Sequence, residues 1–228
     1  MNMLDYFKSL DEKIKNFLKK DQEYICTIDA EESNFVRFNH NLIRQAGFVD
    51  QKYVHLKIFS NKKHAGMVFT VTGDMKDDEI KIRHTVNILQ DALNNVDDDP
   101  FFDVSTTVSS SENVRISDIA DNDEVVSSFI ALGEGLDVVG IYASGKIMNG
   151  FMNSFGQLNW CESNSFNFDY SIYYEDDKAV KSNYAGSMWQ TKEFQSIFKN
   201  AKEQYELLKR PQKKLSPGSY RVYIAPSG

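Results

Sequence analysis

The sequence predicts an α+β chain: two antiparallel β-meanders, each followed by a long helix, with the helices packed on the sheet. Three observations predict it. From Glu23 to Thr72 apolar residues alternate with period two between short polar breaks. Residues 74–96 and 191–210 instead carry apolar residues at spacings of three and four, the mark of a helix with one buried face. Between these helices a second alternating region runs from Leu136 to about Ala185. Strands grouped apart from helices point to α+β rather than to a wound parallel sheet.

The elements follow in order. Leu4, Phe7, Leu10, Ile14 and Phe17 share one face of an N-terminal helix, and Lys8, Lys13, Lys15, Lys19 and Lys20 fall mostly on the other. Breaks at Glu31–Asn34, Asn39–Asn41, Asp50–Lys52 and Ser60–Lys63 divide the first sheet region into about five short strands. Connections this short force antiparallel neighbours, because a parallel crossover needs a dozen or more residues. Asp74 is the expected N-cap of the next helix, with Asp77, Asp78 and Glu79 in the first turn where the helix dipole favours negative charge. Its buried stripe is Ile82, Val86, Leu89, Leu93 and Val96, and Asp97-Asp98-Asp99-Pro100 stops it. Residues 101–123 are small and polar without a period and read as a mobile loop. A short helix is expected over about 123–132, closed by Gly133 and Gly135. In the second sheet region, read as four or five strands, Phe166, Phe168, Tyr170 and Ile172 share one face, and Asp169, Ser171 and Tyr173 the other. The last helix buries Phe194, Ile197, Ala201, Tyr205 and Leu208, and Pro211 ends it. Residues 213–217 read as a linker, and Tyr220, Val222 and Ile224 begin an alternating strand just before the sequence stops. The organisation expected is therefore a domain over 1–210 and, over 211–228, a linker with the first strand of a truncated C-terminal domain.

Composition excludes several functions. The 26 Lys and Arg against 33 Asp and Glu leave a net charge of −7 with no basic stripe, which argues against nucleic acid as a partner. No run of about 18 apolar residues is present, so no membrane partner is expected. The N-terminus lacks an uninterrupted signal-peptide core, and a cytoplasmic location follows as the expectation. Cys26 and Cys161 are too few for a disulfide framework.

The sequence carries no catalytic constellation. His40, His55, His64 and His84 lack metal-ligand spacing, no glycine-rich phosphate loop precedes a helix, and no nucleophile elbow occurs. The distinctive stretch is 140–189, where aromatic residues are interleaved with Asn and Ser. Most of those rings belong to a core. An aromatic sheet surface with Asn and Gln is also able to hold a peptide by strand addition. On that reading Asn153, Ser154, Gln157, Asn159 and Trp160 are the candidate peptide- or partner-facing residues. Catalytic and metal-binding residues are expected to be none.

Three blocks, in order, resemble the TldD/PmbA family of candidate DNA gyrase modulators and zinc peptidases. The segment from Gly135 to Trp189 (GLDVVGIYASGKIMNGFMNSFGQLNWCESN and its continuation) is similar to the family's N-terminal domain. Arg37, Phe38, Asn39, Ile43 and Gln45 match an early R-F-N-x-x-I-x-Q block, with Arg37, Asn39 and Gln45 expected to brace the first meander. Pro217–Pro226 matches the strand that leads into the family's C-terminal domain. The resemblance implies a zinc helix, His-Glu-x-x-x-His, beyond the last residue here, so no cofactor is expected in this chain. Residues 149–160 look more like the PmbA-type subunit, which implies zinc only in a TldD-type partner and a role here in forming a peptide channel. Unfolded peptide or protein as substrate, and a TldD-type subunit or a second copy as partner, are what the resemblance implies.

Overall fold

The structure, a computed structural model, describes residues 2–175, 178–211 and 213–224. The elements are α1 (Met3–Phe17), β1 (Glu23–Asn39), β2 (Leu42–Ser60), β3 (Lys63–Thr70), α2 (Met75–Leu93), β4 (Ser111–Arg115), α3 (Asn122–Leu132), β5 (Asp137–Asn153), β6 (Leu158–Tyr174), β7 (Lys178–Gly186) and α4 (Thr191–Leu208). The class is α+β, as expected, with the helices packed on the sheet. The two predicted meanders, however, belong to one seven-stranded sheet of order β3-β2-β1-β5-β6-β4, with β7 also paired to β6. The ladder of β4 on β6 is parallel.

The strands are fewer and longer than the turn signals implied. The polar breaks at 31–34 and 50–52 lie inside β1 and β2. Their residues find partners instead of turning the chain. Gln51 donates its side-chain amide to Glu31 at 2.9 Å, and Lys52, only 8% exposed, pairs with Asp50. The second region holds three strands, not four or five. The expected loop contains β4, every residue of which is exposed. With neither face buried, β4 leaves no alternation to read. Residues 219–224 form no strand, and Ala225 and Pro226 lie outside the described residues.

The chain divides into two compact units, each made of three separate segments. Unit 1 comprises residues 2–32, 49–116 and 146–163. In it α1 places Tyr6, Phe7, Leu10 and Ile14 against Tyr24, Cys26 and Ile28 of β1 and Val54, Leu56 and Ile58 of β2. From α2 come Ile82, Val86, Leu89 and Leu93. Asp74 caps α2 as expected, accepting from the Lys76 N–H at 2.9 Å. Gly150 fits here because a Cβ would meet the Phe7 ring at 2.5 Å.

Unit 2 comprises residues 33–48, 117–145 and 164–224 among those described. Its core is aromatic. The Phe129 ring of α3 lies 4.7 Å from Phe38, 4.4 Å from Phe168 and 5.9 Å from Phe198, centroid to centroid. Phe194 stacks on Phe168 at 5.5 Å with the rings 13° apart. Such pairs add about 0.5–1.5 kcal/mol each beyond the area they bury. The predicted face of Phe166, Phe168, Tyr170 and Ile172 is buried throughout. On α4 the buried residues are Phe194, Phe198 and Ala201, and Ile197, Tyr205 and Leu208 are partly buried against the same core, so Phe198 joins the expected stripe.

Candidate functional site

The five candidate residues all lie in unit 1, on the β5–β6 turn and the start of β6. Gly156 turns the chain with φ +96°, a conformation that needs no Cβ. Asn153, 5% exposed, fixes this turn. Its Oδ1 accepts from the N–H groups of Phe155 and Gln157, both at 3.1 Å. Ser154 bridges to β1, its Oγ accepting from the Tyr24 N–H at 3.1 Å. Trp160 is 2% exposed and packs 5.9 Å from Phe7, so its ring belongs to the core of unit 1.

Gln157 and Asn159 do something different. Together they hold an extended piece of the same chain. Gln157 Oε1 accepts from the Ser109 N–H at 2.5 Å, and Nε2 donates to the Ser109 carbonyl at 2.6 Å. Asn159 Nδ2 donates to the same carbonyl at 3.1 Å and to Ser111 Oγ at 2.8 Å. The Leu158 N–H donates to Ser110 Oγ at 3.0 Å. From there β4 runs parallel along β6, Ser111 opposite Asn159 through Arg115 opposite Ser163. A side-chain amide that binds both backbone polar groups of one residue reads backbone, not sequence. Within unit 2 the same device recurs: Asn164 accepts from the Ser117 N–H at 2.7 Å and donates to the Ser117 carbonyl at 2.5 Å.

Behind the turn lies a cavity of about 210 Å³ lined by Lys8 and Asp11 of α1 with Asn153, Gly156 and Gln157. Asp11 is already engaged: the Tyr24 hydroxyl donates to it at 2.5 Å and Lys15 pairs with it at 2.8 Å. Burial and this carboxylate push the Tyr24 hydroxyl well above its ordinary range.

A larger cavity, about 430 Å³, lies in unit 2 over the sheet face that points away from the aromatic core. Arg37, Asn39, Arg44, Asp169, Ser171 and Lys181 line it together with Val139 and Ile141. Sequence reasoning took Arg37 and Asn39 as braces and passed over Arg44 and Lys181. The available signal was the hairpin itself. His40 and Asn41 both have positive φ, 49° and 58°, so a two-residue turn joins β1 to β2 and sets Arg37 opposite Arg44.

Three of the four histidines pair with carboxylates: His40 with Asp137 at 2.8 Å, His55 with Asp29 and His64 with Asp99 at 3.2 Å each. The Asp99 carboxyl is held below its usual range, chiefly by the hydrogen bond from His64. Cys26 is buried and its thiol is pushed far up by desolvation, whereas Cys161 is exposed on β6. Among the described residues no group of three or more His, Cys, Asp or Glu is placed to hold a metal ion, and no helix is long and apolar enough to cross a membrane.

No family model and no curated protein matches this sequence. Solved structures match it in fold. TldE from Thermococcus kodakarensis aligns over 88% of this chain and 47% of its own at 12% identity, TM-score 0.62. A candidate modulator of a DNA gyrase from Thermotoga maritima aligns over 86% and 47% at 13% identity, TM-score 0.63. A candidate modulator of DNA gyrase from Bacteroides thetaiotaomicron aligns over 92% and 51% at 13% identity, TM-score 0.59. The chain spans about half the length of each. At these identities the likeness is one of fold, and the fold this chain shares over 86–92% of its length is that of the TldD/PmbA proteins whose sequence blocks it resembles.

Proposed function

We propose that this chain is a substrate-channel and assembly domain of a TldD/PmbA-like cytoplasmic peptidase system, and that the zinc chemistry belongs to a TldD-type partner. The observation that carries the reading is the fold shared with TldE over 88% of the chain, joined to three sequence blocks in the family's order. The long strands supply exposed sheet surface that carries hydrogen-bonding and aromatic side chains. The test is co-purification of the full-length protein with a TldD-type subunit, followed by hydrolysis of unfolded peptides. A complex that contains zinc and cleaves peptide, while this chain alone does neither, is the expected result. Cleavage by this chain alone, or failure of any TldD-type subunit to bind the full-length protein, refutes it.

A second reading has its own observation. The β6 edge already captures an extended segment through side-chain amides that meet it at the Ser109 backbone and the Ser111 hydroxyl. That is the behaviour of a module that binds peptides by strand addition without cleaving them. Titrating the isolated chain with unstructured peptides separates the two: saturable binding with no cleavage favours the module.

A further inference from the structure

The groove over the β1–β2 hairpin of unit 2 is built at an electrostatic cost that the fold does not require. In a two-residue hairpin that pairs Asn39 with Leu42, Arg37 faces Arg44 directly. Like charges placed opposite one another across strands destabilise the pair. Neither guanidinium has a carboxylate partner among the described residues; Arg37 rests 5.8 Å from the Phe35 ring centre. The one acid lining the groove, Asp169, is taken by Lys181 at 3.1 Å. Three cations therefore surround one neutralised acid, in a chain whose net charge is −7. Val139 and Ile141 of β5 add an apolar wall to the same cavity of about 430 Å³.

We propose that this groove binds an organic carboxylate, clamped between Arg37 and Arg44 with its apolar body against Val139 and Ile141. Planar guanidinium forks match a carboxylate two bonds at a time. The apolar wall favours a carboxylate on a hydrocarbon body over an inorganic anion. A free short-chain acid and the C-terminal carboxylate of a peptide share this chemistry.

The whole chain is titrated, with amide NMR shifts as the readout, against four probes: 4-methylpentanoate, N-acetyl-Leu-Leu, its C-terminal amide, and inorganic phosphate. Both acids are expected to saturate and to shift residues of β1, β2 and β5 near the hairpin, with no response to the amide. Saturation by N-acetyl-Leu-Leu alone identifies a peptide terminus as the source, and comparable saturation by both acids identifies small acids; either supports the site. Arg37→Gln or Arg44→Gln weakens binding by about tenfold or more. The Lys variants keep the charge but lose the fork, and fall between. Without ligand, each Gln variant leaves the unfolding midpoint unchanged or raised, because a like-charge contact is relieved. No saturation by either acid up to about 10 mM, equal binding of the amide, tighter binding of phosphate, or full binding by the double Gln variant overturns the proposal.

Discussion

Removing the hydroxyl of Tyr6 tests the energetics of unit 1 at one atom. Tyr6 is fully buried on α1 and donates to Asp78 Oδ2 at 2.8 Å, and Asp78 is itself 1% exposed in the first turn of α2. No cation pairs with this carboxylate among the described residues. It is held by Tyr6, by the Thr72 N–H and hydroxyl, and by the Gly73 N–H, at 3.0–3.1 Å for the last three. A hydrogen bond to a charged group contributes about 1.5–3 kcal/mol, and Tyr6→Phe leaves Asp78 three other donors. The low end applies, about 1.5–2 kcal/mol. Asp78→Asn costs more, about 3 kcal/mol, because its amide N–H₂ meets donors and strands the buried hydroxyl. The double variant costs less than the sum, since no hydroxyl then remains to be stranded. Urea unfolding followed by Trp160 fluorescence in a Trp189→Phe background reports on unit 1. With m near 2 kcal/mol/M, Tyr6→Phe lowers the midpoint by just under about 1 M. A change below about 0.5 kcal/mol, or strict additivity in the double variant, refutes the reasoning.

Three further outcomes are expected. Phe129→Ala, at the centre of the aromatic core of unit 2, costs about 3–5 kcal/mol by thermal unfolding; Phe129→Leu, which keeps most of the volume, costs less than half as much. Gln157→Ala releases the Ser109 N–H and leaves its carbonyl to Asn159 alone, which raises the rate of proteolytic cleavage within 104–110 severalfold while the global unfolding midpoint barely moves; an unchanged cleavage rate removes Gln157 as the clamp. Tyr6, Tyr24 and Cys26 all ionise later in the folded chain than their ordinary 10.0, 10.0 and 9.0, chiefly through burial. The unfolded chain then releases protons first, so stability holds below about pH 9 and falls as the pH rises through 9–11, and Tyr6→Phe flattens that slope.

Much of this was legible in the sequence. The Asp74 cap, the core stripes of α1 and α2, and the alternating face of β6 follow from local chemistry alone, because each buries one face against the rest of a unit. Strand length did not. Glu31, Asp50 and Gln51 look like turn residues, yet they satisfy one another or Lys52 within and across strands, and that pairing is a property of register rather than of any local window. β4 was hidden because an exposed parallel edge strand has no apolar phase. Asn153, Gln157 and Asn159 stood out as polar residues in an aromatic stretch, and in the structure they fix a turn and grip a serine-rich segment. Trp160 stood out for the same reason and is core. Arg37 and Arg44 are visible as an opposed pair only once the turn between them is known to have two residues.

The three-segment make-up of each unit bears on how the protein can be dissected. No single cut in the gene releases either one whole: a stop codon after residue 116 keeps part of both and completes neither. Neither unit can close during ribosomal synthesis until β5 and β6 have emerged, about a hundred positions after β1. Slow maturation is the physical corollary of such far-apart pairings, and expressing one unit for study calls for its three segments to be spliced through new linkers rather than for truncation.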